Sequence, residues 1–157
     1  VLDGVSLRIR VDPLTGAEIA GLLREHLDDM ARHSPPESVH ALDLDSLRSP
    51  QITFWSAWTD DVLVGCVAIK ELDPWHGELK SMRTATSYLR KGVASALMRH
   101  VLEEAHRRGY RKLSLETGAM AAFAPAHAFY ASFGFERCGP FAEYVDDPYS
   151  VFMTRVV

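Results

Sequence analysis

The run Arg90-Lys91-Gly92-Val93-Ala94 carries the most specific chemistry in this 157-residue sequence. It follows a strand-like segment, Leu79 to Thr84, and opens the clearest helical pattern in the chain, in which Val93, Leu97, Val101 and Ala105 recur at helical spacing. A helix start presents unpaired N–H groups and a partial positive charge, which suit a pyrophosphate. Arg90 and Lys91 add charge beside it, Gly92 removes a Cβ where phosphate must approach backbone, and Ala94 keeps the first turn thin. The same residues also make an ordinary helix start with a spare glycine and two solvated cations, and spacing does not choose between the two. A single glycine is not the Rossmann fingerprint, and no Gly-Lys-Ser or Gly-Lys-Thr is present for a P-loop.

The other reactive side chains are dispersed. Trp75 and His76 lie in a turn-rich stretch, Asp73 to Gly77, and an imidazole there has the pKa range of a general base or of a plain exposed histidine. Glu78 and Glu116 border apolar strand-like runs, where a carboxylate serves either chemistry or a solvated edge. Tyr130 shares one helix face with Ala126, Phe129 and Phe133, the pattern of a packing stripe. Cys66 and Cys138 read as small hydrophobes rather than nucleophiles or a disulfide. The histidines show no metal-ligand spacing, so no metal site is expected.

The elements that must hold these residues alternate in type. Leu7 to Val11 alternates apolar and polar residues as a strand. Thr15 is a candidate cap for a helix carrying Ile19, Leu22, Leu23, Leu27 and Met30, which Ser34-Pro35-Pro36 ends. Ala41 to Arg48 reads as a short second helix. Ile52 to Trp58 and Val62 to Leu72 form a hairpin about Asp60-Asp61, and Leu79 to Thr84 follows as a third strand. After the helix that begins at Gly92 and stops at Gly109 come a strand, Lys112 to Glu116, and a short helix opened by Pro125. Phe135 to Tyr144 and Tyr149 to Val156 read as closing strands. This order predicts one α/β domain over residues 1–157, with a mixed sheet of six to seven strands flanked by helices and one parallel crossover.

Composition narrows the functional classes. The chain is 47% hydrophobic and 24% charged with a net charge of −4, so general attraction to nucleic acid is not expected. No apolar run approaches the length of a bilayer span, and Val1-Leu2-Asp3-Gly4 lacks the pattern of a secretory signal. With two separated cysteines, the reduced cytoplasm is the expected address.

Tyr88-Leu89-Arg90-Lys91-Gly92-Val93-Ala94 resembles the acetyl-CoA pyrophosphate loop of the GNAT superfamily of N-acetyltransferases, with Gly92 and Ala94 at its last two fixed positions. Leu89 stands where that family usually has Arg or Gln. Ala126 to Phe135 is similar to the family's Ala-x-x-x-Tyr-x-x-x-Gly-Phe helix, and Phe123 replaces a common Asn. The resemblance implies a mostly antiparallel central sheet with a splayed, V-shaped cleft for acetyl-CoA as co-substrate. It implies that Met82, Arg83 and Thr84 border the pantetheine arm and that Leu89, Arg90, Lys91, Gly92, Val93, Ala94 and Ser95 surround the pyrophosphate. A backbone N–H near Arg83 or Thr84 would polarise the thioester carbonyl, and Tyr130 would protonate the leaving thiolate.

An ammonium acceptor must lose a proton before it attacks. Glu78 and Glu116 are both candidates for that base, Glu116 also for contact with the ammonium, while Trp75 and His76 are placed to shape the acceptor pocket. The resulting expectation is direct transfer of acetyl to a primary amine of a small, amino-acid-like or amine metabolite, without metal, nucleic acid or membrane. A protein or peptide acetyltransferase, an O-acetyltransferase and a silent acyl-CoA-binding module are the rival readings. The resemblance also allows a homodimer through the terminal strands.

Overall fold

The computed structural model describes residues 6–39 and 43–157. The first strand, β1 (Leu7–Val11), half-buries Leu7 and Ile9 and exposes the arginines between and after them, as its alternation predicts. Asp12 ends it: one carboxylate oxygen accepts from the Leu14 N–H at 2.8 Å and the other from the Ser56 hydroxyl at 2.6 Å. Helix α1 (Ala17–His33) starts from Gly16 without a side-chain cap, so Thr15 does not cap it. It buries Ile19, Leu22, Leu23 and His26 on one stripe.

The expected hairpin is present as β2 (Ile52–Thr59) and β3 (Val62–Asp73). Strand β4 (His76–Thr84) begins earlier than the sequence pattern suggests. Asp73 pairs with His76 and accepts the Trp75 N–H at 2.8 Å, so Pro74 and Trp75 make a two-residue turn rather than a loop. Helix α2 (Val93–Arg107) buries Val93, Leu97, Met98, Val101 and Ala105 and leads to β5 (Lys112–Gly118). Helix α3 (Ala124–Ser132) and strands β6 (Glu136–Cys138) and β7 (Ser150–Val156) complete the order.

Two further expectations need correction. Strand β6 stops at Cys138 instead of reaching Tyr144. Gly139-Pro140 follows, and proline has no N–H to give a ladder. Over residues 43–48, the described part of the expected second helix, the structure has a 3-10 turn at Ser46–Arg48, its Ser46 N–H held by the Asp43 carboxylate. Ala41 and Leu42, where that helix was expected to start, lie outside the described residues, as does Val1 to Gly4.

The seven strands form one sheet in the order β1-β2-β3-β4-β5-β7-β6, mostly antiparallel, with β4 and β5 parallel. Helix α1 covers one face through Leu14, Ile19, Leu22 and Leu23 against Phe54, Cys66 and Ala68. Helix α2 covers the other through Val93, Leu97 and Val101 against Val67, Ile69, Leu79, Leu113 and Leu115, where α3 adds Phe129 and Tyr130. Full burial of one such aliphatic side chain contributes about 1.5–3 kcal/mol, so both helices are fastened over the middle of the sheet.

Two local features shape the region around the end of β4. Ser81 and Met82 lie opposite the single residue Val67, and Ser81 takes a positive φ of 55°, a β-bulge that bends the strand. Nearby, a Cβ on Gly65 would come within 2.8 Å of a Val93 methyl and 2.9 Å of the Arg83 carbonyl. Glycine at that position lets the start of α2 settle directly against β3 and β4.

Candidate active site

Strands β4 and β5 pair only at His76–Lys112, Gly77–Leu113 and Glu78–Ser114. Both strands continue, β4 to Thr84 and β5 to Gly118, with no pairing between these parts. The gap is a cleft of about 990 Å³. One arm is bordered by Met82, Thr84 and the first turn of α2, the other by α1, Ser38, Glu78, Lys80 and Tyr144.

The α2 arm is built mainly from backbone. Gly92 adopts the left-handed conformation at φ 90°, and no side chain caps the first turn of α2. The N–H groups of Val93, Ala94 and Ser95 therefore remain available at the positive end of the helix. Arg90 stands beside them at φ 62°. Leu89, Arg90, Gly92, Val93, Ala94 and Ser95 all line the cleft, as do Met82, Arg83 and Thr84. Lys91 does not: its ammonium lies 5.2 Å from the centre of the Tyr88 ring. Uncapped donors at a helix start, with an arginine adjacent, fit a diphosphate.

Tyr130 and Glu116 line the cleft from α3 and β5. Burial pushes the Tyr130 phenol up to about 12, and the Glu116 charge adds to the shift. At neutral pH Tyr130 thus holds its proton and can donate it. Gly118, at the end of β5, is pressed by the Phe123 ring, which a Cβ there would meet at 2.2 Å.

On the other arm, Glu78 is 3% exposed and lies on the α1 side of β4. Its Oε2 accepts from the Tyr144 hydroxyl at 2.5 Å and from Lys80 Nζ at 3.1 Å. Burial, then the Glu78 charge, drives the Tyr144 phenol well above the usual tyrosine range. Breaking a buried pair such as Glu78–Lys80 leaves an uncompensated charge and is costly. Asp29 on α1 pairs with Arg83 at 2.6 Å, and that bond holds the Asp29 carboxyl below the usual range. His26, buried beside this pair, has a pKa lowered to about 4 by burial and the Arg83 charge.

Trp75 and His76 stand apart from the cleft, at the closed end of the β4–β5 pair. Trp75 is 54% exposed, with the Arg111 guanidinium 5.9 Å from its ring centre. His76 Nε2 lies 2.7 Å from the Ser114 hydroxyl, and burial lowers its pKa. The early start of β4 carries both residues away from the opening.

Lys80, Tyr144 and Ser38 also line the cleft, and none of them stands out in the sequence as a site residue. Lys80 had a local signal, since its position two residues after Glu78 puts both on one strand face. Tyr144 and Ser38 had none, because their contacts join residues 66 and 109 positions apart. Ser38 donates to Asp147 Oδ2 at 2.5 Å, tying the segment after α1 to the segment that carries Tyr144.

No helix among the described residues is long and apolar enough to cross a membrane. No cluster of metal-ligating side chains occurs among them either.

The sequence profile of the Acetyltransferase (GNAT) family matches residues 19–135. The chain is 59% identical to an uncharacterized N-acetyltransferase of Bacillus subtilis, YsnE, over 95% of this chain and 99% of that one. It is 50% identical to a second, YedL of Escherichia coli, over 93% and 92% of the two chains. The crystal structure of the PaiA N-acetyltransferase of Thermoplasma acidophilum in complex with coenzyme A superposes with a TM-score of 0.74 at 16% identity, covering 97% of this chain and 99% of that one. The overall fold is thus shared with that structure, and the chain belongs to the GNAT family of N-acetyltransferases.

Proposed function

We propose that this protein transfers acetyl from acetyl-CoA to the primary amine of a small molecule, by direct attack within a ternary complex. The observation that carries this reading is the parting of β4 and β5 beyond Glu78 and Ser114, directly beside the uncapped start of α2. The coenzyme A seen with the Thermoplasma neighbour supports the choice of carrier. A bound acetyl thioester supplies an activated acyl group. The chain's residues do the rest.

The α2 N–H groups and Arg90 hold the diphosphate, with Leu89 and Val93 beside it. Met82, Arg83 and Thr84 border the thioester arm along the unpaired edge of β4. Glu78 takes the proton from the acceptor ammonium, and Tyr130 gives its proton to the departing thiolate. Glu116, near Tyr130, contacts the ammonium. Neither Trp75 nor His76 has a place in this scheme, since both lie outside the cleft.

A small acceptor is favoured over a protein because the Ser38–Asp147 bond bridges two segments that flank the acceptor arm. Free thiol release from acetyl-CoA, measured across amino acids, polyamines and short peptides, tests the reading. Turnover with free amines above that with peptides is the expected result. Preference for peptides would transfer the protein to the peptide class, and binding without turnover would make it a silent acyl-CoA module.

A further inference from the structure

Resting on that reading, we propose that Tyr144 is a positioning residue for Glu78, supplied by the irregular segment between β6 and β7. Three polar atoms make a closed triangle. The Tyr144 hydroxyl donates to Glu78 Oε2 at 2.5 Å, Lys80 Nζ reaches the same oxygen at 3.1 Å, and Lys80 Nζ lies 3.1 Å from the Tyr144 oxygen. Among the described residues both donors to this carboxylate fall on Oε2, which leaves Oε1 as the oxygen for a ligand in the cleft that Glu78 lines. A carboxylate held through one oxygen by two donors has its plane fixed, and a base works best when its acceptor lone pair is already aimed.

The tyrosine is itself well held. Its ring packs edge-on to Phe141 at 5.1 Å between centres and tilts against Phe152 at 5.5 Å. Lys80 Nζ sits 5.7 Å from the same ring centre. Phe152 belongs to β7, which pairs with β5 through Glu116, so the phenol is referenced to the sheet that carries the other cleft carboxylate. Because burial and the Glu78 charge keep the phenol protonated, it serves as a fixed donor and does not compete for the acceptor's proton.

The role is separable from packing, since Tyr144→Phe removes the hydroxyl and retains the ring. The test is a double-mutant cycle with Glu78→Gln on the full chain, using the best amine from the thiol-release panel and following kcat, both KM values and Tm. Tyr144→Phe is expected to lower kcat by about tenfold or more, with the KM for acetyl-CoA within about twofold of the parent. Glu78→Gln is expected to lose about a hundredfold, and the double variant no more than Glu78→Gln alone. Should the amide variant melt early through its unpaired Lys80, Glu78→Asp takes its place in the cycle and retains the charge.

Multiplying losses in the double variant, or a parental kcat in Tyr144→Phe while the parent turns over, overturns this inference and leaves the acetyltransferase reading intact. A parent that releases no thiol with any amine overturns that reading and this inference together.

Discussion

The two arms of the cleft are made of different materials. The α2 arm relies on main chain: an uncapped helix start, a left-handed Gly92 and the unpaired edge of β4. The α1 arm relies on side chains that reach it from far apart in sequence. Tyr144 is 66 residues from Glu78, and Ser38 is 109 residues from Asp147. A backbone site recognises a constant ligand group without demanding particular side chains beyond glycine and small residues. A side-chain site can be rebuilt for a new acceptor while the sheet and the α2 arm stay as they are.

The largest expected effect lies where the arms meet. Tyr130→Phe removes the proposed acid, and a reduction of kcat by about a hundredfold, roughly 3 kcal/mol in the barrier, is expected. Acetyl-CoA affinity by titration should stay at the parental value, because the α2 arm is untouched. Parental kcat in this variant would return Tyr130 to a packing role.

Acid sensitivity should come from the α1 arm. His26 is neutral when folded, with a pKa near 4, against about 6.5 in the unfolded chain. The unfolded state therefore binds the extra proton first. His26 opposes unfolding fully above pH 6.5, and its contribution is lost as pH falls from there to about 4, by about 3 kcal/mol. Denaturant titrations at pH 7 and pH 4 should show a smaller loss of stability in His26→Leu than in the parent. Equal losses would place the acid sensitivity elsewhere, with His76 and His100, whose pKa values burial also lowers, as the next groups to substitute.

Gly92→Val probes the α2 arm alone. A side chain in the left-handed region costs about 1–2 kcal/mol, and the helix start must shift to relieve it. Acetyl-CoA binding by calorimetry is expected to weaken by about tenfold, equivalent to about 1.4 kcal/mol. Unchanged affinity would show that the first turn of α2 does not hold the carrier.

The same contrast explains what the sequence made legible. The strand–loop–helix junction at Thr84 to Ser95 was readable because a strand pattern, a glycine and a helical stripe follow one another within one contiguous stretch. The seven-strand mixed sheet followed from alternation and helical spacing, since burial enforces both. Strand β6 was overrun because Phe135 to Tyr144 keeps an apolar pattern across Gly139-Pro140, where the ladder ends. Leu89 departs from the family's usual Arg or Gln, and it is 54% exposed where it lines the cleft. Trp75 and His76 lie outside the cleft because β4 starts directly after a two-residue turn, in which Asp73 pairs with His76 and accepts the Trp75 N–H. The Glu78–Lys80–Tyr144 triangle was illegible beyond Lys80, because nothing local marks a tyrosine that closes over a strand so distant in sequence.

The smallest expected effect is also the sharpest test of whether the arms are independent. Ser38 is buried, and its hydroxyl reaches Asp147 at 2.5 Å. Asp147 also accepts the Tyr149 N–H at 2.8 Å, so the carboxylate keeps a partner when Ser38 becomes alanine. Losing the one hydrogen bond should cost about 1 kcal/mol. That loss falls on the tie between the segment after α1 and the one carrying Tyr144, so the acceptor KM should rise by about fivefold. Acetyl-CoA affinity should stay fixed, because the bond joins the segment after α1 to the segment before β7, neither of which belongs to the α2 arm. If Ser38→Ala weakens both substrates equally, the cleft behaves as one body, and the division between a main-chain arm and a side-chain arm fails.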